Sequence, residues 1–356
     1  MSEFAKHGGA FFTAVGEDFQ TLEKSKQVVS ADVLDAWFDP APSVLERLRE
    51  YLPFLARTSP PVHADGMLDT IAEVRGLPRE SILAGAGSSS LLFECLPRLI
   101  SAGQAVVQLQ PTYSEYEHLL SDVIGARVLG FNLEVEQNFL PNAEALANFC
   151  RDAGARALVL VNPNNPTGRL WPRSEVEVLL AALPEGTLVL ADETYIEFAS
   201  EHDSLEKLAA VTKNLLVLKS MSKVYALSGL RAGYLVGEPQ TIRDLARWVP
   251  PWPVSLMAQL AAVEALRNTA YYRQRWSDTR ELRAAQSLRL HALPSDSNWI
   301  LVPVSEPHRV AESLRQRMIY VREFDAATAF GQSYLRIAIK DDQQNQLIAR
   351  AVHDAS

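Results

Sequence analysis

The sequence predicts an α/β protein with a large domain built on a mostly parallel mixed sheet and a small α/β domain after it. Short apolar runs, such as residues 157–161 and 215–218, alternate with helical patterns through the middle of the chain. Polar loops rich in Gly, Ser, Asn or Asp follow these runs, as they do where parallel strands end beside a ligand. A length of 356 residues also suits more than one domain.

The composition of the chain indicates which classes of binding partner and which compartment to expect. The hydrophobic content of 47% is ample for a core, and the net charge of −9 argues against nucleic acid or an anionic membrane as the main partner. Cys95 and Cys150 lie in unrelated contexts, which indicates core thiols and neither a disulfide nor a metal site. No apolar run is long enough to span a membrane, and no signal-peptide pattern is present, so we expect a cytoplasmic protein.

The central motif lies in residues 215–237, LLVLKSMSKVYALSGLRAGYLVG. Lys223 follows an apolar strand and is flanked by small hydroxyl residues, a setting that suits an amine forming a Schiff base. The hydroxyl groups of Ser220 and Ser222 and the guanidinium of Arg231 could reach one phosphate. The plainer interpretation is a loop lysine with a surface arginine.

The run Ser-x-Ser-Lys-x-x-Ala-Leu-x-Gly-x-Arg-x-Gly resembles the lysine signature of the class I and II aminotransferases, the fold-type I enzymes that carry pyridoxal 5′-phosphate (PLP). Within them it is most similar to the branch of histidinol-phosphate aminotransferases and threonine-phosphate decarboxylases. The resemblance extends over nearly the whole chain and is strongest over residues 85–237. It implies a fold-type I PLP-transferase and a homodimer, with Lys223 holding PLP and with Ser220, Ser222 and Arg231 binding its phosphate.

Residues 1–41 are predicted to form an N-terminal arm or lid. The sequence HGG at 7–9 resembles the arm of threonine-phosphate decarboxylases, which closes over the substrate, so His7 is a candidate substrate contact beside the plainer interpretation of an ordinary arm. Residues 35–40 stand where the family usually has Asp-Ala-Asn-Glu-x-Pro. Trp37 and Phe38 replace its polar pair on the substrate side, which makes Trp37 a candidate substrate contact and departs from the usual substrates.

The large domain is predicted to cover residues 42–268 and to begin with helices over 42–51 and 67–75. Between them, Thr58 and Ser59 stand where the family has a tyrosine that reaches across a dimer to the partner's PLP. Whether Ser59 or His63 takes over that contact is left open by the sequence.

A strand over 82–84 leads into a Gly and Ser turn and then a helix. The turn, with Gly87, Ser88 and Ser89, would present free backbone N–H groups at a helix start, which suits a phosphate, although a serine N-cap is also common there. In the family this turn holds the PLP phosphate. Tyr113, after the strand at 105–109, matches the aromatic residue that stacks on the cofactor ring; a tyrosine at a helix start is the plainer interpretation.

Two further strands, 157–161 and 187–191, precede polar motifs. The loop NPNNPTG at 162–168 is a family signature and implies that Asn165 hydrogen-bonds the phenolic oxygen of PLP, which Tyr195 can also reach. Asp192 would keep the pyridine nitrogen protonated, so that the ring can accept electrons. Taken alone, an Asp at a strand end is usually a helix N-cap.

The small domain is predicted over residues 269–356, after a helix at 255–267. A long polar helix at 270–290 would link the domains, and strands are predicted at 299–304, 319–321 and 334–339. Arg336 lies in the last of these, where burial of a guanidinium requires an anion. In the family it binds the substrate carboxylate; a structural salt bridge is the alternative. Arg322 is a second candidate.

These features predict a PLP-dependent aminotransferase that acts on a small amino-acid substrate and resembles histidinol-phosphate aminotransferase. Lys223 would move the Cα proton, with Asp192 and Tyr195 beside the ring. The alternative is a PLP-dependent lyase, either a threonine-phosphate-type decarboxylase or an eliminating or cyclising enzyme of specialised metabolism, which HGG and PTYSEYE (111–117) favour. An aminotransferase-like regulator would need a DNA-binding helix pair, for which the chain has no room before its core.

Overall fold

The computed structural model describes residues 8–325 and 332–355. Its strands are β1 Val29–Ser30, β2 Ile82–Gly85, β3 Ala105–Gln110, β4 Arg127–Asn132, β5 Ala157–Val161, β6 Leu188–Asp192, β7 Leu215–Ser220, β8 Gly233–Val236, β9 Trp299–Pro303, β10 Ile319–Tyr320, β11 Arg322–Phe324 and β12 Tyr334–Ala338.

The α-helices are α1 Phe12–Val15, α2 Pro42–Arg57, α3 Asp65–Arg75, α4 Ser88–Leu99, α5 Ser114–Glu117, α6 Ala143–Ala153, α7 Arg173–Ala182, α8 Ile196–Ala199, α9 Glu206–Ala209, α10 Met221–Val224, α11 Pro239–Ala246, α12 Leu256–Arg267, α13 Thr269–Leu290, α14 Pro307–Arg315 and α15 Asp342–Ala355. Short 3-10 turns and one π-helical turn, His118–Ile124, complete the helical segments of the described chain.

A seven-stranded sheet forms the centre of the molecule, in the order β2-β8-β7-β6-β5-β3-β4. The strands from β4 to β7 pair in parallel, whereas β8 is antiparallel to both of its neighbours. This arrangement confirms the predicted mostly parallel mixed sheet. Strands β5 and β6 are buried along their whole length, and their sequences are apolar except for Asp192 at the end of β6, as expected of central strands of a parallel sheet.

A second, antiparallel sheet has the order β11-β12-β9 and packs against α14, which in turn contacts α15. Close to it, β1 from the N-terminal arm pairs in parallel with β10, so the arm is joined to the C-terminal part of the chain. Helix α13 contacts α8 of the large domain and α15 of the small one, as expected of a linking helix. The domain limits at 41 and 268 remain predictions.

Several element boundaries differ from those predicted. Helix α2 continues to Arg57 through an internal proline, Pro53. Strand β7 continues to Ser220, so Lys223 lies in the single helical turn α10 and not in a loop. The strand predicted over 319–321 is β10, which pairs with β1, and a separate strand that was not predicted, β11, follows it and pairs with β12. No helix of the described residues is both long and apolar enough to cross a membrane.

Candidate active site

A cavity of about 540 Å³ opens at the carboxyl ends of the parallel strands, between the large sheet and the small one. It is the position where open α/β sheets bind their ligands. Most of the residues predicted for the site line it: Ser88, Ser89, Tyr113, Asn165, Asp192, Tyr195, Ser220, Ser222, Lys223, Arg231, Arg322 and Arg336.

One end of the cavity is built to hold an anion. Helix α4 begins at Ser88, where the first backbone N–H groups have no partner within the helix, and its N-cap Gly87 has φ = +87°, which favours glycine. A Cβ atom added to Gly87 would lie 2.8 Å from Nη2 of Arg231, so glycine leaves room for that guanidinium.

Arg231 is held at this end from the opposite side. Its backbone has φ = +60°, a strained conformation for a residue with a Cβ, which often accompanies a functional site. Its Nη1 donates to the Ser222 hydroxyl at 3.4 Å and to the Ser228 carbonyl at 3.2 Å. The combination of an arginine, serine hydroxyls and a helix N-terminus fits a phosphate.

Asp192 lies at the floor of the cavity and is 6% exposed. Its Oδ1 accepts hydrogen bonds from the Thr194 backbone N–H (3.0 Å) and hydroxyl (2.6 Å), and its Oδ2 accepts one from the Tyr116 hydroxyl (2.8 Å). Burial raises the pKa of Asp192, although these bonds and the charge of Lys219 oppose the rise. A buried carboxylate held in this way fits a protonated ring nitrogen.

Tyr116 is a functional candidate that the sequence analysis missed. Its side chain is completely buried, and the hydroxyl donates directly to Asp192, 76 positions away. The only local signal was its place in PTYSEYE, three residues after Tyr113. The rings of Tyr113 and Tyr116 meet edge to face, with centroids 6.2 Å apart.

Arg336 enters the cavity from the small sheet without a carboxylate partner. Its Nη1 donates to Asn165 Oδ1 at 2.6 Å and its Nη2 to the Asp32 carbonyl at 2.9 Å, whereas its Nε atom is buried with no hydrogen-bond partner. Burial lowers the pKa of Arg336 to about 10. Among the described residues no ion pair with Arg336 is found, which does not favour the alternative of a structural salt bridge.

Three other predicted residues surround this arginine. Arg322 is paired with Arg336 across β11 and β12, and partial burial lowers its pKa. Tyr195 packs edge to face on Trp299, with ring centroids 4.8 Å apart, and burial raises its pKa. Burial also raises the pKa of Tyr113 to about 12, so both phenols remain protonated at neutral pH.

Lys223 is hydrogen-bonded to the carboxylate of Asp35, which was not among the residues predicted for the site. Its Nζ donates to Asp35 Oδ1 at 2.6 Å and to the Ser228 hydroxyl at 3.5 Å. Burial alone would raise the pKa of the Asp35 carboxyl, but the charges of Lys223 and Lys340 and the hydrogen bonds to it hold that pKa below its usual value.

The structure does not bring Trp37 to the lining of the cavity, although the sequence predicts it as a substrate contact. Its indole N–H donates to Thr279 of α13 at 2.8 Å, and its ring packs edge to face on Phe38, outside the lining of the cavity. A tryptophan next to a long helix can bury more surface there than in a wet cavity. His7 lies outside the described residues, although Gly8 lines the cavity.

A family model described as "Aminotransferase class I and II" matches residues 35–352. The histidinol-phosphate aminotransferase of Moorella thermoacetica is 32% identical over 329 residues, which cover 88% of this chain and 82% of that protein.

Two solved structures share the fold. That of histidinol-phosphate aminotransferase from Sinorhizobium meliloti, in complex with pyridoxal-5′-phosphate, has a TM-score of 0.84 at 23% identity and covers 100% of both chains. L-threonine-O-3-phosphate decarboxylase from Porphyromonas gingivalis has a TM-score of 0.80 at 22% identity, covering 92% of this chain and 99% of that one.

Proposed function

The chain belongs to the class I and II aminotransferases, and from that premise we propose that this PLP-dependent enzyme transfers the amino group of a small donor that also carries an anion. The observation that carries the proposal is Arg336, a guanidinium buried at the cavity wall with no carboxylate partner among the described residues and with an unpartnered Nε. A buried cation of this kind is expected to take its anion from a ligand.

The residues of the cavity fit the cofactor of this family. When bound, pyridoxal 5′-phosphate supplies an aldehyde carbon that bonds to amines and a ring that takes up the electron pair of a bond broken at the substrate Cα. The start of α4, Ser222 and Arg231 would bind the phosphate. Asp192 would hold a proton on the ring nitrogen, and Asn165 and Tyr195 would donate hydrogen bonds to the phenolic oxygen.

Lys223 would serve as the acid and base of the reaction. Its Nζ atom, released from the cofactor when the donor amine binds, would take the proton from the substrate Cα and return it at the cofactor carbon. A proton transfer of this kind contributes about 10²- to 10⁴-fold to the rate. The turn α10 is short and buried on its other side, which keeps the reach of this lysine within the cavity.

Arg336 would orient the donor. Asn165 accepts from Nη1 and the Asp32 carbonyl from Nη2, so the plane of the guanidinium is fixed before any ligand arrives. Arg322 lies across the strand pair, and the guanidinium of Arg336 stands 5.9 Å from the ring of Phe324. Two arginines beside an aromatic ring suit a donor with a phosphate or carboxylate and a flat side chain. Histidinol phosphate, the substrate named for the curated relative, meets that description.

The test is a half-reaction without any keto acid. The PLP-loaded protein would be mixed separately with L-histidinol phosphate, L-phenylalanine, L-aspartate and L-threonine O-3-phosphate, and the absorbance and products followed. We expect the cofactor to be recovered in its aminated form, with an equimolar carbonyl product. The reaction should be fastest with L-histidinol phosphate. Release of carbon dioxide from L-threonine O-3-phosphate, with the cofactor unchanged, would replace this proposal with the lyase alternative.

A lysine variant serves as the control for this test. Lys223→Ala should abolish both the visible absorbance of the lysine-bound cofactor and the half-reaction, because Lys223 is the only lysine among the described residues that line the cavity. Retention of both would contradict the site assignment.

We also propose that the protein works as a homodimer in the cytoplasm. Leu52 and Phe54 of α2 are 49% and 47% exposed, and Trp252 is 53% exposed beside Val62, whose carbonyl accepts its backbone N–H. An apolar surface of this kind supports pairing with a second copy. Both cysteines are buried free thiols, which supports a reducing compartment.

Analytical ultracentrifugation would test the dimer. We expect Phe54→Asp to weaken the association, while Phe93→Asp, on a different helix, would serve as the matched control. A wild-type protein that sediments as a monomer would contradict the proposal.

A further inference from the structure

Asp35 lies on a segment that is anchored just before and just after it, by the backbone of Leu34 and by the side chain of Trp37. Just before it, the carbonyl of Leu34 accepts a hydrogen bond from Asn298 at 3.0 Å, and just after it Trp37 donates to Thr279 at 2.8 Å. These anchors belong to the C-terminal part of the chain, whereas Lys223 belongs to the large domain. The position of the Asp35 carboxylate relative to Lys223 is therefore determined by the packing of the two domains.

The Asp35 carboxylate and two other groups form a compact polar cluster. Oδ1 of Asp35 lies 2.6 Å from Lys223 Nζ and 2.6 Å from the hydroxyl oxygen of Ser228. That hydroxyl also stands 3.0 Å from the Ser222 carbonyl and 3.5 Å from Lys223 Nζ. The nitrogen that must carry a proton during catalysis thus has a carboxylate and a hydroxyl as its immediate neighbours.

The charges around Asp35 keep it ionised. Lys223 faces it from α10, and Lys340, which is 7% exposed at the end of β12, faces it from the small sheet. Asp32 and Asp341 are the other carboxylates near Lys340, and the charge of Asp35 also acts on the phenol of Tyr195 at the cavity wall. The pKa of Asp35 is lowered, so this carboxylate accepts hydrogen bonds and does not donate a proton.

Resting on the proposed transamination, we propose that Asp35 is a further catalytic residue that holds the amino group of Lys223 whenever this group is not bonded to the cofactor. The proton taken from the substrate Cα would reside on Nζ as an ammonium, which the Asp35 carboxylate stabilises and the Ser228 hydroxyl orients. The same proton would then leave Nζ for the cofactor carbon. Asp35 itself neither gains nor loses a proton in the cycle.

The first measurement needs no bound cofactor. The full-length protein would be labelled at neutral pH with a trace of acetic anhydride, and the rate at Lys223 read by peptide mass analysis against that of the surface residue Lys213. We expect Asp35→Asn to raise the rate at Lys223 about tenfold, because an amine loses its reactivity while it is held as an ammonium by a partly exposed carboxylate. Asp35→Glu should remain close to the wild type, since it keeps the charge.

The second measurement uses the PLP-loaded protein. The visible absorbance of the lysine-bound cofactor would be titrated with pH, and its midpoint should fall by about one pH unit in Asp35→Asn, because a nearby anion favours the protonated form of a basic nitrogen. Asp39→Asn is the matched control: Asp39 lies four residues away on the same segment and is exposed. It should leave both readouts unchanged.

The outcomes separate this inference from the proposed function. Unchanged labelling and an unchanged midpoint in Asp35→Asn would overturn the inference, even if the half-reaction proceeds. If the wild-type protein forms no lysine-bound cofactor, the proposed function fails, and the labelling rate still decides whether Asp35 holds Lys223. If Asp35→Asn does not fold, Asp35→Ser replaces it, because it also removes the charge: faster labelling of Lys223 would support the inference, and unchanged labelling would overturn it.

Discussion

The hydroxyl of Tyr116 is predicted to determine how tightly the protein holds PLP. Tyr116→Phe removes one oxygen from a fully buried side chain and leaves its ring in place. That oxygen donates at 2.8 Å to Oδ2 of Asp192, while both bonds from Thr194 go to Oδ1. The substitution therefore leaves Oδ2 without its hydrogen bond, in a site too buried for water to replace it easily.

The magnitude follows from the charge of the acceptor. A hydrogen bond to an ionised group contributes about 1.5–3 kcal/mol, which corresponds to roughly ten- to a hundredfold in an equilibrium constant. Burial already raises the pKa of Asp192, and loss of the Tyr116 bond would raise it further. A larger fraction of Asp192 would then be neutral, and a neutral carboxyl does not hold a proton on the ring nitrogen. The affinity for PLP should fall by up to that factor, because the Tyr116 bond stabilises the ionised form of Asp192 that the ring nitrogen needs.

The assay is an equilibrium titration of the cofactor-free protein with PLP, followed by the pH profile of the half-reaction. We expect a weaker Kd for PLP and an acidic limb displaced to higher pH. Tyr225→Phe is the control, because Tyr225 is buried against Tyr272 and Trp276 outside the lining of the cavity. An unchanged Kd and pH profile in Tyr116→Phe, or an equal loss in Tyr225→Phe, would refute the reasoning.

Three further predictions test other parts of the molecule. Arg336→Lys keeps the charge but loses the planar fork, so KM for the amino donor should rise about tenfold or more while the Kd for PLP stays unchanged; a parallel loss of PLP affinity would contradict this. Gly87→Ala strains a backbone at φ = +87° and places Cβ 2.8 Å from Nη2 of Arg231, so PLP should bind about tenfold more weakly, whereas wild-type affinity would show that the phosphate lies elsewhere. Burial raises the pKa of Glu193 to about 7, above the unfolded value of about 4.5. The free energy of unfolding should therefore fall by on the order of 3 kcal/mol as pH rises from about 4.5 to 7, because the folded state holds this proton more tightly. Glu193→Gln, whose side chain can still accept a hydrogen bond from the Leu205 N–H, should flatten the dependence of Tm on pH between 5 and 8. A slope equal to that of the wild type would contradict the assignment of this pH dependence to Glu193.

Much of the fold and the cavity could be predicted because the signals are local. Strand β5 coincides with the apolar run 157–161, and β6 and β7 end at the predicted polar motifs. When strands run parallel, their carboxyl ends meet at one edge, so residues placed after separate strands come together without any knowledge of side-chain contacts. Ser88, Asn165, Asp192 and Lys223 reach the same cavity for this reason.

The errors and omissions concern contacts between distant parts of the chain. Trp37 was expected at the substrate because of its place in a motif, but its partner Thr279 lies 242 positions away. The contact between Tyr116 and Asp192 spans 76 positions, and that between Asp35 and Lys223 spans 188. No periodicity or spacing in the sequence records such pairs.

The sequence by itself therefore determined the fold class, the positions of the parallel strands β3, β5, β6 and β7, and the groups able to hold a phosphate, a ring nitrogen and an amine. Those properties depend on backbone conformation and on residue type, and both follow from residues that are close together in the sequence. Only the tertiary structure decided what stands behind each of these groups: Tyr116 behind Asp192, Asp35 beside Lys223, and no carboxylate ion-paired with Arg336 in the described chain. These surroundings arise from the packing of the small domain and the N-terminal segment on the large sheet. Because the groups are buried, each hydrogen bond or missing counter-ion has a large effect on whether the group is charged.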